Sequence, residues 1–303
     1  MQTPATVLEV LDAPVWRARA AAHARTVEAL TADRLARRVE GRTHPVDDFL
    51  WEYYAFRPAQ LARWHPGPGV GLADGHEREG WSGYLVDGAG TAYLDVERFV
   101  QRRGRTVAFV RDLLRATLSR PGRFGCFGLH EWAMVYRADR EDVRHDWPLR
   151  LGAEGTDAVV ESHQVACSHF DAHRFFTPEA APRNTLRPTR EGQLDLEQPG
   201  CLHAGMDLYK WCFKLAPAVP SDLTLEAFHL ARDIRELDMR AAPYDLRDLG
   251  YEPVRIETTE GKREYAEAQR AFSRRSNALR RRLLDVLTGD VGQSVEGWLV
   301  PAG

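Results

Sequence analysis

Three tracts in the middle of the chain place a histidine shortly after a cysteine: Cys126 and His130, Cys167 and His169, Cys201 and His203. Thiolate, imidazole and carboxylate groups are the protein ligands of transition metals and the usual acids and bases of enzymes. The densest tract is Cys167-Ser168-His169-Phe170-Asp171-Ala172-His173. On a strand, 169, 171 and 173 share one face, so two imidazoles and a carboxylate stand together. On a helix, His169 and His173 are i, i+4 neighbours able to share a metal, while Asp171 points elsewhere. With His130 these residues form the set expected to hold zinc or iron if a metal is bound. The alternative is a core tract: Phe170, Phe175 and Phe176 surround histidines that would then simply be hydrogen-bonded.

Glu131 lies between His130 and Trp132 in the apolar stretch from Phe127 to Tyr136. A carboxylate there needs a partner or a shifted pKa. It either lines a pocket as a general acid or base, tuned by Trp132 and Phe127, or pairs with an arginine such as Arg137 or Arg174. In the third tract His203 and Asp207 are four apart, one helical face, and suit a His–Asp pair that orients a base or binds a metal. Tyr209 and Trp211 beside them offer flat surfaces for a ring. The structural alternative has His203 capping the helix and Asp207 paired with Lys210 or Lys214.

Among 41 basic residues lysine stands only at 210, 214 and 262. Three arginine groups could track phosphates: Arg102-Arg103-Gly104-Arg105, Arg183/Arg187/Arg190 and Arg280-Arg281-Arg282. The loop PRNTLRPTR is the best of them, free of acids until Glu191, whereas the last group suits a solvated helix face. Asp233, Glu236 and Asp238, interleaved with Arg232, Arg235 and Arg240, read as salt-bridge lacing on one helix. The net charge of −3 does not announce a nucleic-acid binder, so any such surface must be a local patch. No GxxxxGK[ST], GxGxxG after a strand, GxSxG or HExxH occurs, which argues against P-loop, Rossmann, α/β-hydrolase and zincin chemistry.

These groups need a scaffold, and 303 residues with 44% hydrophobic and 28% charged side chains can bury a substantial core. The four cysteines show no CxxC spacing, apolar runs stop well short of a bilayer span, and the start lacks a basic run before an apolar core. A cytoplasmic chain with reduced thiols and no membrane contact is expected. The first forty residues predict one or two Arg-rich amphipathic helices with Ala20, Ala24, Val27, Leu30, Leu35 and Val39 inward. Residues 70–95 predict a small β hairpin or an irregular excursion. Beyond it the spacing predicts helices over VERFVQRR, Thr106–Ser119, a stretch N-capped by Ser221, and Gly261–Thr288 closed by Gly289, with one short strand at PVRIET, 253–258. Without repeats or linkers, a mainly α single domain over 1–303 is expected, its chemically dense middle at 123–216.

The segments HPVDDFLWEYYAFRPAQLARWHPGPG, GCFGLHEWAMVYR, CSHFDAHRFFTP, PGCLHAGMDLYKWCFKLAP and ARDIRELDMRAAPYDL, in this order and over most of the chain, resemble an actinobacterial family commonly labelled 3-methyladenine DNA glycosylase. It is distinct from the helix-hairpin-helix and alkyladenine glycosylase types. The resemblance implies a DNA-repair hydrolase that cleaves the N-glycosidic bond of an alkylated purine in damaged duplex DNA, with no cofactor. Such chemistry needs a slot for a flipped cationic base, a carboxylate for the oxocarbenium sugar and a basic grip on the strand. Trp132, Tyr209 and Trp211 would stack the base, Glu131 or Asp207 with His203 would be catalytic, and Arg183, Arg187 and Arg190 would hold phosphates. Two other readings stand beside it: a zinc- or iron-dependent enzyme acting on a small molecule through His130, Glu131, His169, Asp171, His173 and His203, and a non-catalytic helical scaffold.

Overall fold

Trp16 sets the phase of the first helix. Its indole N–H donates to the Ala73 carbonyl at 2.9 Å, and its ring joins Leu11, Trp64, Leu72, Tyr84 and Ala92 in one apolar cluster. The computed structural model describes residues 7–138 and 147–289; the chain's first six residues and 139–146 of the dense middle lie outside these. Among the described residues the fold is mainly α, 57% helical with eleven α-helices and one small four-stranded sheet. No helix there is long and apolar enough to cross a membrane.

The residues gather into two compact units. The first comprises the described residues within Met1–Asp112, Tyr209–His229 and Leu279–Gly303, the second those within Leu113–Leu208 and Leu230–Ala278. The helices are α1 (Ala13–Val39), α2 (Phe49–Tyr53), α3 (Pro58–Leu61), α4 (Val96–Ser119), α5 (Leu129–Ala133), α6 (Gly152–Glu161), α7 (Phe170–His173), α8 (Gln193–Leu196), α9 (Leu202–Lys214), α10 (Ser221–Ala241) and α11 (Thr259–Thr288).

In the first unit, Pro14 opens α1, Arg37 and Arg38 suit its negative C-terminal end, and Trp16, His23, Val27 and Thr31 form its buried stripe. The helical stretch expected within the first forty residues is thus the single helix α1, and Leu35 and Val39 are exposed rather than inward, because the stripe is phased on Trp16. Strands β1 (Glu9–Leu11), β2 (Val70–Leu72), β3 (Tyr84–Val86) and β4 (Ala92–Leu94) lie in the order β1-β2-β4-β3. The expected hairpin is β3–β4, with Tyr84 opposite Leu94, while β1 pairs parallel with β2. Ser221 does not cap α10 but begins it, and its hydroxyl ties back the 63–65 segment by donating to the Arg63 carbonyl and accepting from the His65 N–H.

His65 sits beside Tyr84, Nδ1 to phenol oxygen 3.0 Å. Burial, and then the charges of Arg78 and Arg63, bring its pKa down to about 3. An unfolded histidine takes up its proton near 6.5, so below that pH only the unfolded chain gains it. Stability is therefore expected to fall from about pH 6.5 towards 3 by up to about 1.4 kcal/mol per pH unit. Urea unfolding at stepped pH, wild type minus His65→Gln, reads this slope; identical profiles would refute it.

In the second unit PVRIET forms no strand. Val254 and Ile256 are fully buried, but the Val254 N–H donates to the Arg240 carbonyl at the end of α10, and no strand edge is offered to it. The helices expected at VERFVQRR and Thr106–Ser119 are a single α4, continuous through Gly104. Gly289 closes α11 with φ 79°, as its spacing suggests. In the first turn of α11, a Cβ at Gly261 would stand 2.0 Å from the Arg255 carbonyl oxygen. Gly261→Ala is expected to cost about 1–3 kcal/mol by forcing the 253–258 segment away, read as a lower urea midpoint.

Candidate metal centre

Helix α5 is a short element aimed by a tight turn in which Phe127 (φ 47°) and Gly128 (φ 70°) are both left-handed. For the phenylalanine that conformation costs roughly 1–2 kcal/mol. The turn sends His130, Glu131 and Trp132 into the interior of the second unit. Helix α9 carries His203 and Asp207 on one face, and Gly205 between them allows close approach: a Cβ there would lie 2.7 Å from Ser276 Oγ and 2.9 Å from Ile234 Cδ1. Helix α10 brings Asp238, on the same stripe as Leu230 and Ile234, so a carboxylate occupies a core position.

The three helices converge. His130, His203 and Asp238, all buried, each offer one ligand atom, and these atoms lie within 4.8 Å of one another. His130 Nε2 is 3.2 Å from Asp238 Oδ1, and the His130 and His203 rings meet edge to face at 4.5 Å between centroids. His169 lies next to them, its ring 5.3 Å from that of His203 and its Nε2 3.3 Å from Asp207 Oδ2. Neither ring nitrogen of His169, nor Asp238 Oδ1, has an aligned hydrogen-bond partner among the described residues. Such atoms are costly in an interior unless something satisfies them.

Charge is arranged around this cluster with care for balance. Arg235, 1% exposed, donates from Nη1 to Glu131 Oε1 at 2.9 Å and reaches Asp238 Oδ2 at 3.5 Å. Burial alone would depress the His130 imidazole, but the Asp238 charge and hydrogen bond, helped by Cys126, outweigh it and hold the pKa well above its ordinary value. Burial likewise works against the Asp238 carboxylate, yet His130 and Arg235 keep it below the usual range. His203 goes the other way, because it is buried and faces the His130 charge. A charged pair and a neutral imidazole therefore stand side by side, the separation of protonation states that acid–base sites use; a metal held here would have to displace the His130 proton.

Against His130 and His203 lies a hollow of ≈ 20 Å³, lined also by Cys126, Cys167, Cys201 and Gln269. It has room for about one water molecule. Burial pushes the Cys167 and Cys201 thiols up, so both are protonated in this arrangement. Gln269 donates to the Gly200 carbonyl at 2.6 Å, and its Oε1 is without a partner among the described residues.

The residues singled out from the sequence are placed as follows. His130, His169, His203 and Asp207 come together. The 169/171/173 triplet divides, because α7 is a single turn with His169 at its start: Asp171 turns to Arg174 and Arg190, each at 3.7 Å, and His173 packs on Phe176. Glu131 finds Arg235 rather than Arg137 or Arg174. Trp132 is fully buried, its N–H on the Ala241 carbonyl and the Arg150 guanidinium over its ring. Tyr209 and Trp211 belong to the first unit, Tyr209 enclosed by Tyr54, Phe56 and Phe228, and Trp211 against Phe109. Arg183, Arg187 and Arg190 are exposed, with Glu161 3.8 Å from Arg183 and Asp171 beside Arg190, so acids stand within this patch.

Two residues of the centre escaped the sequence reading. The spacing gives Asp238 and Arg235 as salt-bridge lacing; they do pair, but inside the core. The signal was present in the spacing, since Leu230, Ile234 and Asp238 step by four and a carboxylate on the apolar stripe of an amphipathic helix is unusual. Compared with known proteins, the chain matches no family model, no curated protein and no solved structure.

Proposed function

We propose that this chain is a metal-dependent enzyme acting on a small molecule, with zinc or iron held by His130, His203 and Asp238. The observation that carries the reading is the convergence of two imidazoles and one carboxylate, from three separate helices, within 4.8 Å. Two histidines and a carboxylate are the protein set of catalytic zinc sites and of non-haem iron sites, both of which keep a position open. The adjoining hollow, lined by His130 and His203, has room for about one water-sized molecule. A metal bound there would supply Lewis acidity.

The surrounding residues have roles that follow from their contacts. Arg235 bridges Glu131 and Asp238 and so fixes the carboxylate's orientation, which makes both of them positioning residues. Asp207 stands beside the His169 ring, its Oδ2 3.3 Å from Nε2. The glycosylase activity implied by the resemblance asks for a stacking slot beside a free carboxylate. Trp132 has no exposed face and Glu131 is held by Arg235, so the described residues lend that reading no comparable support.

Elemental analysis of the purified protein tests the proposal. About one equivalent of zinc or iron per chain is expected, lost in His203→Ala and Asp238→Asn variants that keep the wild-type circular dichroism. Protein that arrives metal-free and takes up neither zinc nor ferrous iron on titration would overturn it.

A further inference from the structure

The first unit contains a second cavity that shares no residue with the metal centre. Its volume is ≈ 390 Å³, within the range of about 300–1,000 Å³ typical of small-molecule sites. The segment after α3 contributes Arg63, the turn before β3 contributes Trp81, α4 contributes Arg103, and the end of α9 contributes Phe213 and Lys214. Three cations therefore line the cavity, and among the described residues no aspartate or glutamate does. An adjoining cleft of ≈ 400 Å³ shares Arg103 and Lys214 and adds Arg105, again with no acid in its lining among the described residues.

This imbalance is local. The chain as a whole carries −3, and several arginines elsewhere are matched by carboxylates, as in Arg37–Asp48, Arg150–Glu257 and Arg235–Glu131. Among the described residues Arg63 and Arg103 have no ion-pair partner. Like charges gathered in a concave wall repel one another and concentrate anions. The wall also offers ring surface: Trp81, half-buried, lies 5.2 Å from the Arg63 guanidinium, and Phe213 stacks on Phe56 with centroids 3.8 Å apart.

We propose that this cavity binds a phosphorylated aromatic small molecule of about nucleotide size, its phosphate held by Arg63, Arg103 and Lys214 and its ring laid against Trp81. Three cations suit a group of charge about −1.5 to −2 better than a single carboxylate, and the arginine fork matches phosphate oxygens two at a time. A cavity of this volume, lined by α3, α4 and α9 segments, fits a free small molecule.

Isothermal titration of the full chain with 5′-AMP, 5′-UMP and phenyl phosphate reads the site, with adenosine and inorganic phosphate as arms lacking the charge or the ring. At least one of the three phosphorylated rings is expected to saturate a single site and to bind about tenfold or more tighter than adenosine and than phosphate alone. Arg63→Gln and Arg103→Gln should each weaken that ligand about tenfold, and Trp81→Ala should weaken it while leaving inorganic phosphate unchanged. Both arginines are exposed, so these variants fold, and metal content is measured on the same samples to keep the outcome separate from that of the metal centre. The proposal is overturned if none of the three saturates below about 5 mM, if the arginine variants bind like wild type, or if a single-stranded oligonucleotide binds more than a hundredfold tighter than any of them.

Discussion

Arg235→Met is expected to lower the unfolding free energy by about 3–5 kcal/mol, the cost of breaking a buried ion pair by removing one partner. Arg235 is 1% exposed, and its Nη1 reaches Glu131 at 2.9 Å and Asp238 at 3.5 Å. Methionine fills much of the volume but leaves two buried carboxylates facing each other across an apolar gap. If cavity formation were the main cost, the loss would be small and insensitive to Glu131. If uncompensated charge is the cost, Arg235→Met/Glu131→Leu should recover more than half of it, since replacing both members of a buried pair by apolar groups is often nearly neutral. Urea unfolding of the two single variants and the double variant closes this cycle. A loss under about 1 kcal/mol for Arg235→Met would show that the guanidinium is not what stabilises the α5–α10 packing.

The same cluster shows how far a sequence alone can be read. Local spacing placed His203 and Asp207 on one helical face, and all three Cys–His pairs contribute to one hollow, lined by Cys126, His130, Cys167, Cys201 and His203. The order within the 167–173 tract was open, because alternation and helical spacing differ over only seven residues and the choice is made by a single helical turn. His169 alone of that triplet faces His203, whereas Asp171 is drawn to two arginines. Asp238 was hidden by its neighbours: Arg235, Glu236 and Arg240 give the helix a laced look, and only the phase of Leu230 and Ile234 shows that 238 faces inward. Long-range pairing is the harder case. Strand β1 is three residues long and pairs with a segment about sixty residues later, a partnership that no local pattern encodes. For PVRIET the local pattern was that of a strand, but its backbone donors go to a helix end.

Zinc added to metal-stripped protein is expected to raise the thermal midpoint by roughly 8–16 °C at a thousandfold excess over its dissociation constant. A ligand that binds only the folded state stabilises it by RT ln(1 + [L]/Kd), about 4.1 kcal/mol at that excess, and each kcal/mol moves the midpoint of a chain of about this size by roughly 2–4 °C. The unfolded chain cannot compete well, because 130, 203 and 238 are far apart in sequence and meet only after α5, α9 and α10 have packed. The choice of variants separates two ligand sets. If His130, His203 and Asp238 hold the metal, Asp238→Asn and His203→Ala abolish the shift, while Asp171→Asn and His173→Ala, whose side chains pair with arginines and with Phe176, keep it. If the compact sequence triplet held it, the pattern would invert. Differential scanning calorimetry of each stripped variant with and without zinc reads the difference, and the metal-free midpoint of Asp238→Asn shows whether the lost shift reflects a lost ligand or a fold already damaged. A shift that survives in both His203→Ala and Asp238→Asn would sink the assignment of the centre.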